Sequence, residues 1–229
     1  MKAILLAAGY GTRLGKITEL IPKPLVEIKG TPVLEYLIKK LTSLGIDHVY
    51  INTHYKHELI SKFISESKFK IPISLIYEPK LLGTAGTLKS LVSEVSQNNF
   101  LVMHADNYFA DNLELIRKMH EESSPKILAT MGTFNVSNPS KFGTVELSED
   151  HRVIRFFEKD KDSTSRVANS SIYFMKPETK DIIESLASNE NDISLHLVPK
   201  LLGKINASPL RGYFFDIGTP IDLNLANNV

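Results

Sequence analysis

The chain has 229 residues, 42% of them apolar and 23% charged, which suits a globular protein with a substantial core and excludes a disordered or fibrous one. A formal net charge of +1 leaves no electrostatic footprint for nucleic acid or an acidic membrane surface. The absence of cysteine excludes a disulfide framework and thiolate metal sites, and no apolar run is long enough for a membrane span, so the expected setting is cytoplasmic.

Lys2–Leu6 reads as a short strand of buried type, and it leads into the glycine-rich turn "AAGYGTRL" (7–14) as a strand does, unlike a leader peptide. Thr31 and Pro32 are expected to open a helix, with Leu34, Leu37, Ile38, Leu41 and Leu44 at the helical period and Gly45 ending it. A strand over Val49–Thr53 follows, then a helix carrying Leu59, Ile60, Phe63 and Ile64. The same alternation continues with a strand at Ile73–Tyr77, a helix through Ala85, Leu88, Leu91, Val92 and Val95, and a strand at Phe100–Met103. A helix lined by Leu113, Ile116 and Met119 comes next. Such alternation implies parallel crossovers and an open sheet covered on both faces. After Lys126 strand-like runs at 126–133, 143–147, 152–157 and 171–175 have fewer helices between them, which makes the sheet mixed. The expected fold class is therefore α/β: Rossmann-like, three-layer α/β/α, with a mostly parallel, mixed central sheet and a single domain over 1–229. Ligands of such sheets sit beyond the carboxyl ends of the strands, where residues 7–14, 78–86 and 104–107 fall.

The turn at 7–14 fits neither common phosphate loop. In the dinucleotide fingerprint the third glycine falls on Leu14, and in a Walker motif the first glycine falls on Tyr10 and the metal-holding hydroxyl on Ile17. What remains is a loop open to close backbone approach, ending in Arg13, whose guanidinium suits phosphate oxygens. Pro22 and Pro24 then stiffen the chain around Lys23.

"AILLAAGYGTRL" (3–14) with "PKPL" (22–25) resembles the signature of the sugar-1-phosphate nucleotidyltransferases, the nucleoside-diphosphate-sugar pyrophosphorylases, of the short bacterial type. "EPKLLGTAGTL" (78–88), "LVMHADNYF" (101–109), "FGTVEL" (142–147), "FFEKD" (156–160), "NSSIYFM" (169–175) and "YFFDIGTP" (213–220) are similar to that family's later motifs, in its order. The match departs at "GTRLGKIT", where many members read "GTRLRPLT", and at "HAD", where "NGD" or "GD" is common.

The resemblance implies transfer of a nucleoside monophosphate from a nucleoside triphosphate to a sugar-1-phosphate, with Mg2+, serving polysaccharide biosynthesis. It divides the domain into a nucleotide-binding half (1–125) and a sugar-binding half (126–229). Arg13 and Lys23 would be catalytic, and Leu6, Ala7, Ala8, Gly9, Gly11, Thr12, Arg13, Glu78, Gly83 and Thr84 would bind the nucleotide. Gly143, Glu158, Lys159 and Asn169 would bind the sugar phosphate, and Asp106 and Asp216 would hold the metal. Taken alone, Asp216 reads as a cap or turn residue, Glu158 as a solvated strand-end charge and Thr84 as a helix N-cap. GTP, UTP, CTP and dTTP all remain open, with GTP favoured. A phosphocholine cytidylyltransferase on the same fold and a catalytically silent nucleotide-sugar-binding regulator are the alternatives; no aromatic cluster that would cage a quaternary ammonium stands out in the sequence. His54 and His57 lack a third ligand for zinc and read as surface residues. The segment 159–166, "KDKDSTSR", reads as a loop over the sugar, an exposed helix face would suit a homodimer, and the short stretch after "DIGTP" leaves no room for a C-terminal β-helix.

Overall fold

Three runs rich in Ile, Leu and Val begin the structure, and each forms a strand. In the computed structural model, which describes residues 1–161 and 163–229, Lys2–Leu6 pairs in parallel with His48–Thr53 (Leu5 opposite Ile51), and His48–Thr53 with Ile73–Tyr77 (Ile51 opposite Leu75). The end of Phe100–His104 takes the place beside Lys2–Leu6. Helix Val33–Ser43 turns Leu34, Leu37, Ile38 and Leu41 inward, all essentially fully buried, each worth about 1.5–3 kcal/mol in area removed from water.

The expected helix start at Thr31–Pro32 is displaced by two residues. Lys29 and Gly30 both adopt positive φ (52° and 75°), the turn chemistry of a tight hairpin, so Thr31–Pro32 pairs antiparallel with Glu27–Ile28 before the helix begins. A second ribbon, Asn107–Phe109 against Phe214–Asp216, sets Asp216 opposite Asn107. Helix Pro220–Asn227 closes this unit with a reciprocal cap between Thr219 and Asp222. These segments make one compact unit, Met1–Leu81 with Met103–Asn112 and Gly212–Val229; Leu82–Val102 and Leu113–Arg211 make another, so the chain passes between units four times.

Helices Thr84–Val95 and Glu114–Glu121 belong to the second unit, with a group of paired strands. Ala129–Asn135 lies antiparallel to Val167–Met175 and parallel to Ile205–Pro209, and Gly143–Leu147 lies antiparallel to Val153–Glu158. The fold class is the expected one, Rossmann-like α/β with a mixed central sheet and flanking helices. Val167–Met175 extends four residues upstream of its expected start and carries a bulge between Asn169 and Tyr173, with Ser171 at φ 58°. The loop expected over 159–166 includes Asp162, which lies outside the described residues.

His120 is fully buried on helix Glu114–Glu121, its Nδ1 3.1 Å from the Thr130 hydroxyl. Burial, with the Lys176 ammonium nearby, pushes its imidazolium down to about 4. The unfolded chain takes up that proton near 6.5, so stability from neutral His120 is complete above that value and is lost as pH falls towards 4. The full effect is about 3 kcal/mol. Melting temperature followed from pH 7 to 4 should fall in the native chain and fall less steeply in His120→Gln.

Candidate active site

Lys23 is the most buried lysine or arginine among the described residues. Pro22 enters in extended backbone (φ −69°, ψ 149°), and Lys23–Leu25 then make one turn of 3-10 helix. Only 8% of the residue is exposed, and its ammonium donates to Asp106 Oδ2 and, at 3.3 Å, to Asp216 Oδ1. The ribbon that carries Asp216 creates this meeting: Ile217 N–H donates to the Asp106 carbonyl at 2.9 Å, which draws the two carboxylates onto one ammonium. Arg13 stands at the edge, Nη2 3.9 Å from Asp216 Oδ2 and mostly exposed. Gly218 leaves it room, since a Cβ there would lie 3.1 Å from the guanidinium.

Burial opposes every charge in this cluster, and neighbours decide the outcome. For Asp106 burial pushes the carboxyl up, but the Lys23 ammonium, with His104 beside it, outweighs burial and holds it below the usual range. Asp216 is driven the other way: burial and the Asp106 charge leave its carboxyl raised despite Lys23 and Arg13. Lys23 would be lowered by burial, yet the two carboxylates hold it above its ordinary value. Lys23 is thus firmly charged near neutral pH, and Asp216 is the member most readily neutralised.

The donor set fits a hard divalent cation. Asp106 Oδ1 is buried and has no hydrogen-bond partner among the described residues; the nearest polar ring atom, His104 Nδ1, is 4.0 Å away. An ionised carboxylate oxygen left this way is a ready metal ligand. Among the described residues no group of three or more His, Asp or Glu is arranged for a metal, so the protein offers two carboxylates and leaves the other positions to oxygens from elsewhere. Two carboxylates, substrate phosphates and water are a usual Mg2+ set.

The glycine-rich turn packs directly on this cluster. Gly11 sits at φ 66°, and a Cβ there would stand 2.9 Å from Thr18 Cγ2 and 3.1 Å from Lys23 Cβ. The turn at 7–14, expected as a loop, ends in a 3-10 turn, Thr12–Leu14, and a short helix, Lys16–Leu20, follows it. At the other end of the turn Ala7 N–H donates to Asn52 Oδ1 at 2.7 Å, and Asn52 Nδ2 donates to Glu78 Oε1 at 2.9 Å. Leu6, Ala7, Ala8, Gly9, Gly11, Thr12, Arg13 and Glu78 therefore all belong to the unit that holds Lys23, Asp106 and Asp216. Asn52 escaped the sequence reading, although a lone amide at the end of the apolar run "VYIN" was a visible signal.

Gly83 and Thr84 belong to the other unit. Gly83 has φ 77°, and an added Cβ would lie 2.3 Å from the Asn191 carbonyl oxygen, so the position demands glycine twice over. Thr84 is the first residue of its helix, not the cap, and its hydroxyl accepts from Ile193 N–H at 2.8 Å. Gly83→Ala should cost about 3 kcal/mol from positive φ and overlap together, seen as a lowered midpoint in urea unfolding.

All four expected sugar-side residues lie in that second unit, and three of them, Gly143, Glu158 and Lys159, meet there. Gly143 pairs with Glu158 across the strands, and a Cβ on Gly143 would stand 2.8 Å from Glu158 Oε2. Lys159, at φ 49°, keeps an exposed side chain with Nζ 3.3 Å from Glu158 Oε1. Asn169 is nearly buried at the strand bulge, its Nδ2 donating to the Tyr173 hydroxyl and, at 3.4 Å, to Ser194 Oγ. Tyr173 and Ser194 were not legible as site residues; Ser194 lies on a π-helical turn, Ile193–Leu197, a form that often marks functional positions. The structure also holds an aromatic stack that the sequence hid: Tyr36, Tyr108 and Tyr213, with ring centroids 4.7 and 5.4 Å apart along the stack. Lys40 lies over Tyr36, 5.2 Å from the ring centre, so a cation of the chain itself already uses that ring. His54 and His57 are each hydrogen bonded within the protein.

Residues 2–229 match the nucleotidyl transferase family. The bifunctional protein GlmU of Methanococcus maripaludis is 34% identical over 234 residues, covering 100% of this chain and 54% of that protein. The mannose-1-phosphate guanylyltransferase catalytic subunit beta of Danio rerio is 32% identical over 230 residues, covering 97% of this chain and 62% of its own. The crystal structure of HddC from Yersinia pseudotuberculosis complexed with GMP-PN superposes with a TM-score of 0.81 at 28% identity, over 99% of this chain and 98% of that one. The chain thus spans about half the length of the first of these relatives. With the match running from residue 2 to residue 229, the chain belongs to the nucleotidyl transferase family.

Proposed function

We propose that the protein is a Mg2+-dependent sugar-1-phosphate nucleotidyltransferase. The buried Lys23 ammonium shared by Asp106 and Asp216 carries this reading. In the reaction an oxygen of the sugar-1-phosphate attacks the α-phosphorus of a nucleoside triphosphate, the bond to the β-phosphate oxygen breaks, and pyrophosphate leaves with that electron pair. No side chain bonds to substrate, so the protein neutralises charge and aligns two anions.

Lys23 stabilises charge developing at the α-phosphate, and Arg13 grips the phosphates that depart. Backbone groups of Leu6, Ala7, Ala8, Gly9, Gly11 and Thr12 receive the triphosphate, while Glu78, Gly83 and Thr84 face base and ribose. Lys159 holds the incoming phosphate, and Gly143, Glu158 and Asn169 orient the sugar hydroxyls. Asp106 and Asp216 would hold Mg2+, which when bound supplies further neutralisation of phosphate oxygens. The partners are accordingly a nucleoside triphosphate and a sugar-1-phosphate, and GTP is the first base to test, given the guanylyltransferase relative and the GMP-PN complex of HddC. We read the setting as cytoplasmic and an exposed helix face as able to support a homodimer. Among the described residues no helix is long and apolar enough to cross a membrane.

Pyrophosphate release, measured with Mg2+ across GTP, UTP, CTP and dTTP against a panel of sugar-1-phosphates plus phosphocholine, tests the reading. Release with a sugar-1-phosphate supports it. Release only with CTP and phosphocholine turns attention to the tyrosine stack, and nucleotide binding without release with any acceptor points to a regulatory protein.

A further inference from the structure

Tyr10 stands between two glycines of the phosphate turn and is 48% exposed, yet His54 and Tyr55 hold it. Its ring meets His54 edge-on, centroids 5.4 Å apart, and Tyr55 at 5.5 Å. Its hydroxyl lies 3.0 Å from His54 Nε2, and His54 Nδ1 lies 2.7 Å from the Glu78 carbonyl oxygen. A carbonyl only accepts, so Nδ1 carries the hydrogen, and in the neutral ring Nε2 accepts from Tyr10. Glu78 is thereby tied to the turn twice: through its side chain to Asn52 and Ala7, and through its carbonyl to His54 and Tyr10. Tyr55 completes the frame by donating to the Thr18 carbonyl at 2.8 Å, while the Thr18 hydroxyl donates to Gly11 and Gly15 carbonyls at 3.0 and 3.1 Å.

We propose that Tyr10 and His54 are positioning residues for the nucleoside triphosphate, locking the turn between Gly9 and Gly11 onto Glu78 so that its backbone N–H groups are set before the ligand arrives. The physical need is entropic. Glycines lose more backbone freedom on ordering than any other residue, and a turn with Gly9, Gly11 and Gly15 would otherwise give up that freedom at each binding event. The relay orders the turn in the free protein, so less affinity is lost on binding. It also joins the part of the site that receives phosphates to the residue expected at the base. The proposal rests on the nucleotidyltransferase reading only for the identity of the ligand.

The test is calorimetric binding of whichever of GTP, UTP, CTP and dTTP the unaltered protein binds tightest with Mg2+, alongside KM for both substrates. Tyr10→Phe, which keeps the ring and removes the hydroxyl, and His54→Ala should each weaken triphosphate binding about fivefold to tenfold. The double variant should be no weaker than the worse single one, because both break the same relay. KM for the sugar-1-phosphate should stay within about twofold, a split that general loosening would not produce. Unchanged triphosphate affinity, an additive double variant or equal rises in both KM values would overturn the proposal. An unaltered protein that binds no triphosphate would overturn both the proposal and the reading. Weakened binding in the variants of a protein that turns over no acceptor would uphold the relay and reject the reading.

Discussion

Asp106→Asn should lower kcat for pyrophosphate release by about 10²–10³-fold or more while leaving the fold intact. The substitution preserves shape and removes one charge at the point where three groups depend on it. Lys23 keeps a partner, because Asp216 Oδ1 remains 3.3 Å from the ammonium. The Asp216 carboxyl, raised by burial and by the Asp106 charge, relaxes downward once that charge is gone and pairs better with Lys23. Stability should therefore change little. Activity has no such substitute, since the buried Oδ1, with no hydrogen-bond partner among the described residues, is the oxygen suited to the metal and an amide is a far poorer ligand for it. The check is kcat and urea midpoint on the same preparation. A midpoint that falls in proportion to activity would make Asp106 a structural anchor instead.

The contrast between legible and hidden parts follows from what each depends on. Lys2–Leu6 and Thr84–Val95 emerge from the local pattern of apolar residues, because their burial is decided within one element. The short ribbon Asn107–Phe109 with Phe214–Asp216 has only three residues per strand, all pairing at long range, and nothing local announces it. Yet that ribbon turns two separated aspartates into one site, so Asp106 and Asp216 could be named from motifs while their meeting at Lys23 could not be derived. Ile205–Pro209 was missed because "INASP" has neither alternation nor bulk; it is a strand because Ala129–Asn135 offers it a parallel partner. The frame around Tyr10 was hidden for a related reason. His54 and Tyr55 look like ordinary loop residues until the strand they follow, His48–Thr53, is set beside Lys2–Leu6.

Lys23→Ala should cost about 10²–10³-fold in kcat, and the pH dependence distinguishes its cause. The Lys23 ammonium lowers both carboxyls, against burial, so its removal lets both rise. Each is then protonated at higher pH than before, and the acid limb of kcat/KM must shift upward. Stability moves with the same sign. Carboxyls whose folded values lie above their unfolded ones stabilise the fold when protonated, and that contribution is lost as pH rises through the raised values. Lys23→Ala should therefore gain stability relative to the native chain as pH is lowered from neutral into the carboxylate range. Lys23→Arg keeps the charge but should recover little activity, because a forked, planar guanidinium does not replace a compact ammonium held in a buried position between Asp106 Oδ2 and Asp216 Oδ1. Full activity in Lys23→Arg, or an acid limb that stays in place in Lys23→Ala, would remove Lys23 from the reaction and leave it a structural cation between two aspartates.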